Sequence, residues 1–153
     1  MATNRARTTK TSPRRPVTIT MQDVMTPQPL TIGRDQTLAT AHKMMRDHDV
    51  RHLPVLERGR LVGLLSQRDL YFLETIAGVD LEKDTVDDAM SVDAFAVAPG
   101  ALVAEVAATM ATRKLGCAVV IERQRVVGVF TVTDACRMVA EICAAKAAVR
   151  RAS

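Results

Sequence analysis

Aromatic residues are scarce in this sequence of 153 residues, which contains no Trp, one Tyr and three Phe. Hydrophobic residues nevertheless make up 48% of the chain, and they are chiefly Val, Leu, Ala and Met. We therefore expect a core of aliphatic side chains. A chain of this length fits one compact domain, or two very small ones that share a core.

Other absences exclude whole classes of protein. No stretch of about 18 consecutive apolar residues is present, which excludes a transmembrane helix. The N-terminus is basic but no apolar stretch follows it, so it is not a secretory signal. Three cysteines without a Cys-x-x-Cys motif argue against a disulfide framework, and we expect all three to be packing residues. These features predict a cytoplasmic protein.

Motifs of catalysis and metal binding are missing as well. The sequence holds no nucleophile–base pair, no Walker loop and no G-x-G-x-x-G. His42, His48 and His52 lack the convergent spacing of metal ligands. We therefore expect no enzyme, no catalytic residue and no metal site.

Positive charge is concentrated at the N-terminus. The formal net charge is +4, yet residues 1–16 alone carry five basic side chains and no acid. The rest of the chain is therefore close to neutral. The Thr, Ser, Pro and Arg content of residues 1–16 predicts a disordered tail. A solvated leader is the simpler interpretation, and contact with nucleic acid is the alternative.

The chain is an internal duplication. Shifting the sequence by 65 positions aligns it with itself without a gap. A copy of this size rarely buries enough apolar surface alone, so the two copies should pack together as a pseudo-twofold pair. Identical residues coincide in several element types: Thr20, Asp23, Met25, Gly63 and Asp69 fall on Thr85, Asp88, Met90, Gly128 and Asp134.

Periodicity predicts the order β-α-β-β-α in each copy, and hence a mixed α/β (α+β) fold. We assign residues 17–80 to the first copy, 81–147 to the second and 148–153 to a C-terminal tail. The first copy has predicted strands at 30–32, 52–57 and 60–65 and helices at 35–48 and 67–77. The second has strands at 95–97, 117–122 and 126–131 and helices at 101–113 and 132–150.

Both copies end their last strand in the turn G-x-x-[Ser/Thr]-x-x-Asp, at Gly63–Asp69 and Gly128–Asp134. Ser/Thr-x-x-Asp is close to a capping box, which needs no ligand. The same geometry presents free N–H groups, a hydroxyl and a carboxylate to an anion or a sugar. The glycine would allow close approach of a ligand or of neighbouring backbone.

The wider pattern resembles a known family. D-V-M-T-P at Asp23–Pro27, R-H-L-P-V at Arg51–Val55 and G-R-L-V-G-L-L-S-Q-R-D-L at Gly59–Leu70 closely resemble the CBS domain, named after cystathionine β-synthase. The second copy resembles it more loosely, and the resemblance covers residues 17–147. It implies a tandem pair, or Bateman module, that binds AMP, ADP, ATP or S-adenosylmethionine between its copies and commonly forms a homodimer.

The resemblance also implies a set of ligand-binding residues. Asp69 and Asp134 match the ribose carboxylates, and Ser66 and Thr131 match the hydroxyls near phosphate or ribose. The strand edges that hold adenine correspond to Val50, Arg51, His52, Leu53 and Pro54, and to Leu115, Gly116, Cys117, Ala118 and Val119. The entry strands that line the cleft correspond to Thr31, Ile32, Ala96 and Val97.

The two turns should differ in charge. Arg51, His52 and Arg68 lie near the first, where they could neutralise phosphate. Their second-copy counterparts Gly116, Cys117 and Thr133 carry no charge. We expect a regulatory module that binds an adenine nucleotide, without an obligatory cofactor, and signals to a protein partner. The alternatives are a ligand-free dimerisation module and nucleic-acid binding through the tail.

Overall fold

The computed structural model describes residues 18–151, so the predicted basic tail lies outside the described residues. The first copy contributes α1 Met21–Val24, β1 Thr26–Pro27, β2 Ile32–Gly33, α2 Leu38–Asp47, β3 His52–Glu57, β4 Arg60–Ser66 and α3 Gln67–Glu74. The second contributes α4 Val86–Ala89, β5 Ala96–Val97, α5 Val103–Arg113, β6 Cys117–Glu122, β7 Arg125–Thr131 and α6 Val132–Arg151. The predicted mixed α/β fold is confirmed.

A β-hairpin is the most regular part of each copy. Strands β3 and β4 form one hairpin, and β6 and β7 form the other, at positions that match after the 65-residue shift. The first turn places Arg58 and Gly59 at positive φ, and the second places Arg123 and Gln124 there. Two residues at positive φ suit the twist of a tight hairpin, and only the first turn supplies a glycine for it.

Each hairpin belongs to a separate small sheet. In the first sheet β2 pairs parallel with β3, which pairs antiparallel with β4. In the second, β5, β6 and β7 repeat this arrangement, and β1 is added beyond β7. Each sheet has its own largely aliphatic core. Leu53 and Leu65 are fully buried in the core of the first sheet, and Val120 and Phe130 in the core of the second.

Short leading segments exchange between the copies. Strand β1 comes from the first copy but pairs with β7 of the second. The Met21 amide donates to Ala101 at 2.9 Å, and the Val86 amide donates to Gln36 at 2.8 Å. Met21 and Val86 are each fully buried in the core of the opposite copy. Helices α1 and α4, which periodicity did not predict, are the means by which the copies interlock.

The glycine of each G-x-x-[Ser/Thr]-x-x-Asp turn receives the exchanged segment. A Cβ at Gly63 would lie 2.6 Å from the Met90 sulfur and 2.8 Å from the Ser91 carbonyl oxygen. A Cβ at Gly128 would overlap the Met25 side chain. Of the two uses expected for these glycines, the structure shows close approach of the neighbouring copy.

Helix α6 is long and mostly exposed. It is 20 residues long and contains no buried residue. Cys136 and Cys143 are therefore exposed, which corrects their expected role as packing residues, whereas Cys117 is buried as expected. The helix continues through Arg151, so part of the proposed C-terminal tail is helical. None of the helices between residues 18 and 151 is long and apolar enough to cross a membrane.

The glycine–methionine contact can be tested by a double variant. Gly128→Ala should lower the free energy of unfolding by roughly 1–3 kcal/mol, because the added methyl group overlaps Met25. When Met25→Ala is added, the double variant should lose less than the sum of the two single losses, as measured by urea denaturation. Gly100→Ala is the control, since a Cβ there meets nothing within 4 Å. Strictly additive losses at positions 128 and 25 would contradict the contact.

Candidate functional site

Each G-x-x-[Ser/Thr]-x-x-Asp turn begins a helix with a capping box. The Ser66 amide and hydroxyl donate to Asp69 Oδ2 at 2.9 and 2.5 Å, and the Asp69 amide donates to Ser66 Oγ at 3.2 Å. Thr131 and Asp134 repeat the arrangement at 2.8, 2.8 and 3.3 Å. Capping is therefore the structural role of both pairs, and binding would have to use the atoms that remain free.

The two aspartates differ in their second oxygen. Asp134 Oδ1 accepts a hydrogen bond from Arg137 at 3.1 Å. Asp69 Oδ1 has no such partner among residues 18–151, because Phe72 occupies the position that matches Arg137. Only the first turn therefore keeps a free carboxylate oxygen in the part of the chain that the structure describes.

A first cleft of about 680 Å³ lies between the copies, beside Ser66. Its opposite side is formed by the apolar face of α5 and by Leu115 and Gly116, which immediately precede β6. The first-copy turn therefore faces the beginning of a second-copy strand. The cleft is further lined by Gln67, Tyr71, Ala107, Met110, Ala111, Val132 and Ala135.

Positive charge dominates the first cleft. Arg51, Arg68 and Lys114 line it, and no acidic side chain does. All three cations are exposed, and their side chains form no hydrogen bond or ion pair with any residue of the described range. Lys114 ends α5 in a left-handed conformation, with φ of +56°. An anion entering this cleft would meet three cations, none of which would have to break an ion pair with another described residue in order to bind it.

Lys114 was missed by sequence reasoning, which treated its segment only as an apolar strand edge. The repeat offered a signal, because Lys114 matches Asp49 and both residues have positive φ. The charge at this position is thus reversed between the copies. Placing that charge in a cleft required knowing which segments face each other.

His52 lies at the boundary of the first cleft and is partly buried. Burial lowers the pKa of its imidazole below the usual value, and Arg51 and Arg68 lower it further, whereas Asp69 raises it. A Cβ at Gly116 would lie 2.7 Å from His52 Nε2. The imidazole therefore fills the space that a side chain at position 116 would need.

A second cleft of about 460 Å³ lies beside the second turn. Thr131, Thr133 and Asp134 line it, together with Arg137. Its opposite side comes from the first copy: Thr26 of β1, His52 at the start of β3, and Asp49, Val50 and Arg51 just before that strand.

Charge does not divide between the turns as expected. Arg51 and His52 line the second cleft as well as the first, because each turn faces the strand start of the other copy. The second cleft also contains Asp49, Asp134 and Arg137. It is therefore a cleft of balanced charge, whereas the sequence comparison placed the Asp134 carboxylate at the second turn and no positive side chain.

Several residues implicated by the resemblance line neither cleft. Their positions in the sheets explain this. Those in the first halves of β3 and β6 are buried, and the entry strands pair at the edge of each sheet, while Asp69 turns back to cap α3. The residues outside both clefts are Thr31, Ile32, Leu53, Pro54, Asp69, Ala96, Val97, Cys117, Ala118 and Val119.

Curated relatives match across most of the chain. The CBS domain-containing protein YhcV of Bacillus subtilis is 28% identical over 114 residues, which are 74% of this chain and 81% of that protein. Inosine-5'-monophosphate dehydrogenase of Korarchaeum cryptofilum is 32% identical over 106 residues, or 69% of this chain, but these are only 21% of the enzyme. The latter match leaves most of the enzyme outside the region of similarity.

Solved structures share the architecture. The AcuB protein from Vibrio cholerae superposes with a TM-score of 0.76 at 30% identity, covering 85% of this chain and 96% of that one. The CBS domain pair of MJ0100, solved with 5'-methylthioadenosine and S-adenosyl-L-methionine, gives 0.73 at 23% identity over 81% and 98%. CBSX2, solved with AMP, gives 0.71 at 22% identity over 80% and 97%. The last two likenesses establish the fold alone.

A model of one family matches the chain twice. The matched segments are residues 21–73 and 86–141, so together they cover well over half of the sequence and fall one in each copy of the duplication. The protein therefore belongs to the CBS domain family, of which it carries a tandem pair.

Proposed function

We propose that this CBS pair is a regulatory module that binds a phosphorylated adenosine ligand in the first cleft. The observation that carries the proposal is the set of three cations, Arg51, Arg68 and Lys114, which line one cleft without an acid and without an ion pair in the described range. Charge-assisted hydrogen bonds to phosphate are among the stronger polar contacts that a protein makes. The adenosine ligands of MJ0100 and CBSX2 support the choice of nucleoside.

The opposite wall of the first cleft suits a base. Met110 and Leu115 provide an apolar surface, and Tyr71 lies at its edge with nearly half of its surface exposed. Ligand sites are typically apolar with a few convergent polar groups, as here. We assign the phosphates to the cations and the base to this wall. Asp69 does not itself line the cleft, but Ser66, which does, donates to its Oδ2; we propose the free Oδ1 beside it as the ribose ligand.

The second cleft is proposed to take an uncharged or zwitterionic nucleoside. Its cations Arg51 and Arg137 are balanced by Asp49 and Asp134. Arg137 is already engaged with Asp134, so little positive charge remains for a phosphate. Occupancy of the clefts would shift the two copies relative to each other, and a protein partner would recognise that shift.

Self-association is a second function that one observation favours. Helix α6 exposes Val139, Ile142 and Val149, and contains no buried residue. Their spacing of three and seven residues places them on one face of the helix. We propose that a second copy of the chain covers this face.

The dimer proposal can be tested by sedimentation equilibrium. Ile142→Glu should shift the protein from dimer towards monomer, because it places a charge in the apolar face of α6. Ala144→Glu adds the same charge on the opposite face and should leave the mass unchanged. A wild-type protein that is monomeric at high micromolar concentration would refute the proposal.

Ligand binding is tested by calorimetry with AMP, ADP and ATP, with adenosine as the uncharged comparison. Arg68→Ala should weaken ATP binding roughly 10- to 100-fold, as expected for one charge-assisted contact. Thr133→Ala changes the matching position in the second cleft and should leave ATP affinity within about twofold. If ATP causes neither heat nor a rise in melting temperature at millimolar concentration, the proposed function is wrong.

Affinity for ATP should also depend on His52 and pH. Burial lowers the pKa of the imidazole below its usual value, so in the free protein His52 is neutral to a greater extent at pH 7 than an unperturbed histidine. A nearby phosphate favours the imidazolium, so binding takes up a proton and His52 contributes more as pH falls from about 7.5 to below 6.5. The ratio of wild-type to His52→Gln affinity should rise over this interval. A constant ratio would contradict contact between His52 and phosphate. Titration of the ATP phosphate changes both affinities equally, so it does not affect the ratio.

A further inference from the structure

The two clefts meet at a shared wall, which consists of the residues that line both of them: Arg51, His52, Gly116 and Val132. Arg51 and Gly116 occupy equivalent positions after the 65-residue shift. A position and its own equivalent can face each other only near the pseudo-twofold axis. The shared wall therefore lies at that axis. In a perfectly symmetric pair, the side chain at position 51 would lie on one side of the axis and an identical side chain at position 116 on the other.

Between residues 18 and 151, Arg51 is the one arginine or lysine in this wall. Position 51 is Arg, but position 116 is Gly and has no side chain to offer. His52 occupies the vacant space, since a Cβ at Gly116 would approach its Nε2 to 2.7 Å. Two clefts thus depend on one guanidinium at their boundary.

The remaining cations are distributed unequally. Arg68 and Lys114 line the first cleft only. Arg137 lines the second only, and its guanidinium is paired with Asp134 at 3.1 Å. When Arg51 is bonded to a phosphate in the first cleft, the described residues offer the second cleft no unpaired arginine or lysine.

We propose that Arg51 is shared between the clefts, so that one chain holds one phosphorylated ligand at a time. This inference rests on the proposed function. A phosphate in the first cleft engages Arg51 and weakens phosphate binding in the second, and by thermodynamic linkage the reverse holds as well. An uncharged nucleoside in the second cleft does not need Arg51 and is not excluded.

The experiment is calorimetry of the full chain with ATP, followed by titration of the ATP-saturated protein with AMP or adenosine. We expect one ATP per chain, subsequent binding of one adenosine, and AMP binding to the ATP-saturated protein that is weaker than adenosine binding. A gain of binding provides the stronger test. Thr133→Arg gives the second cleft its own cation at the position that matches Arg68, and should raise the stoichiometry to two ATP per chain.

Ala140→Arg is the matched control, since it adds the same charge on α6 outside both clefts and should leave one ATP per chain. Two equivalent ATP sites in the wild-type protein would overturn the shared-cation inference and leave the proposed binding of ATP in the first cleft intact. Exclusion of adenosine by ATP would overturn it too, because the clefts would then compete by overlap. A Thr133→Arg protein that still binds a single ATP would show that charge is not what limits the second cleft. Failure of the wild-type protein to bind any ATP would remove the proposed function itself.

Discussion

The packing of one copy's leading segment against the other copy's hairpin is the contact on which the rest of the structure depends. Met25 lies where a side chain at position 128 would be, and Met90 does the same at position 63. Each small sheet thereby obtains apolar cover that its own copy does not provide. Met21 and Val86 extend this exchange into the two cores, where both are fully buried. A half of this chain separated from the other would lose part of its core as well as an interface.

The same interlocking determines the composition of the clefts. Since the copies are related by a pseudo-twofold axis, the turn of one copy lies opposite the strand start of the other. Ser66 therefore faces Leu115 and Gly116, and Thr131 faces Val50 and Arg51. Charged residues that are neighbours in the sequence therefore line clefts on both sides of the axis. A comparison of the two copies position by position groups the charged residues of the first cleft, but it does not show that Arg51 and His52 line the second cleft as well.

Much of the fold was predictable because its signals are local. Two apolar runs separated by Arg58-Gly59 predicted the first hairpin, and the repeat predicted the second. The strand β3 at residues 52–57 was predicted with its observed bounds. Helices α1 and α4 have only four residues each, too few for a periodic pattern, and their stability comes from the opposite copy. Strand β1 was missed for a related reason, since its partner β7 lies about 100 residues further along the chain. Long-range pairing of this kind leaves no mark on local periodicity.

The candidate site was predictable in its residue types and not in its grouping. Arg51, His52 and Arg68 do line one cleft together, but sequence reasoning gave all three to one turn and did not include Lys114. The reason is the position of Arg51 beside the axis. A residue far from the axis of a duplicated protein can serve only one cleft, and its counterpart serves the other. A residue on the axis reaches both, so a single difference there, Arg51 against Gly116, affects both clefts at once. Divergence at the axis therefore makes two similar clefts dependent on each other, whereas divergence elsewhere only makes them different.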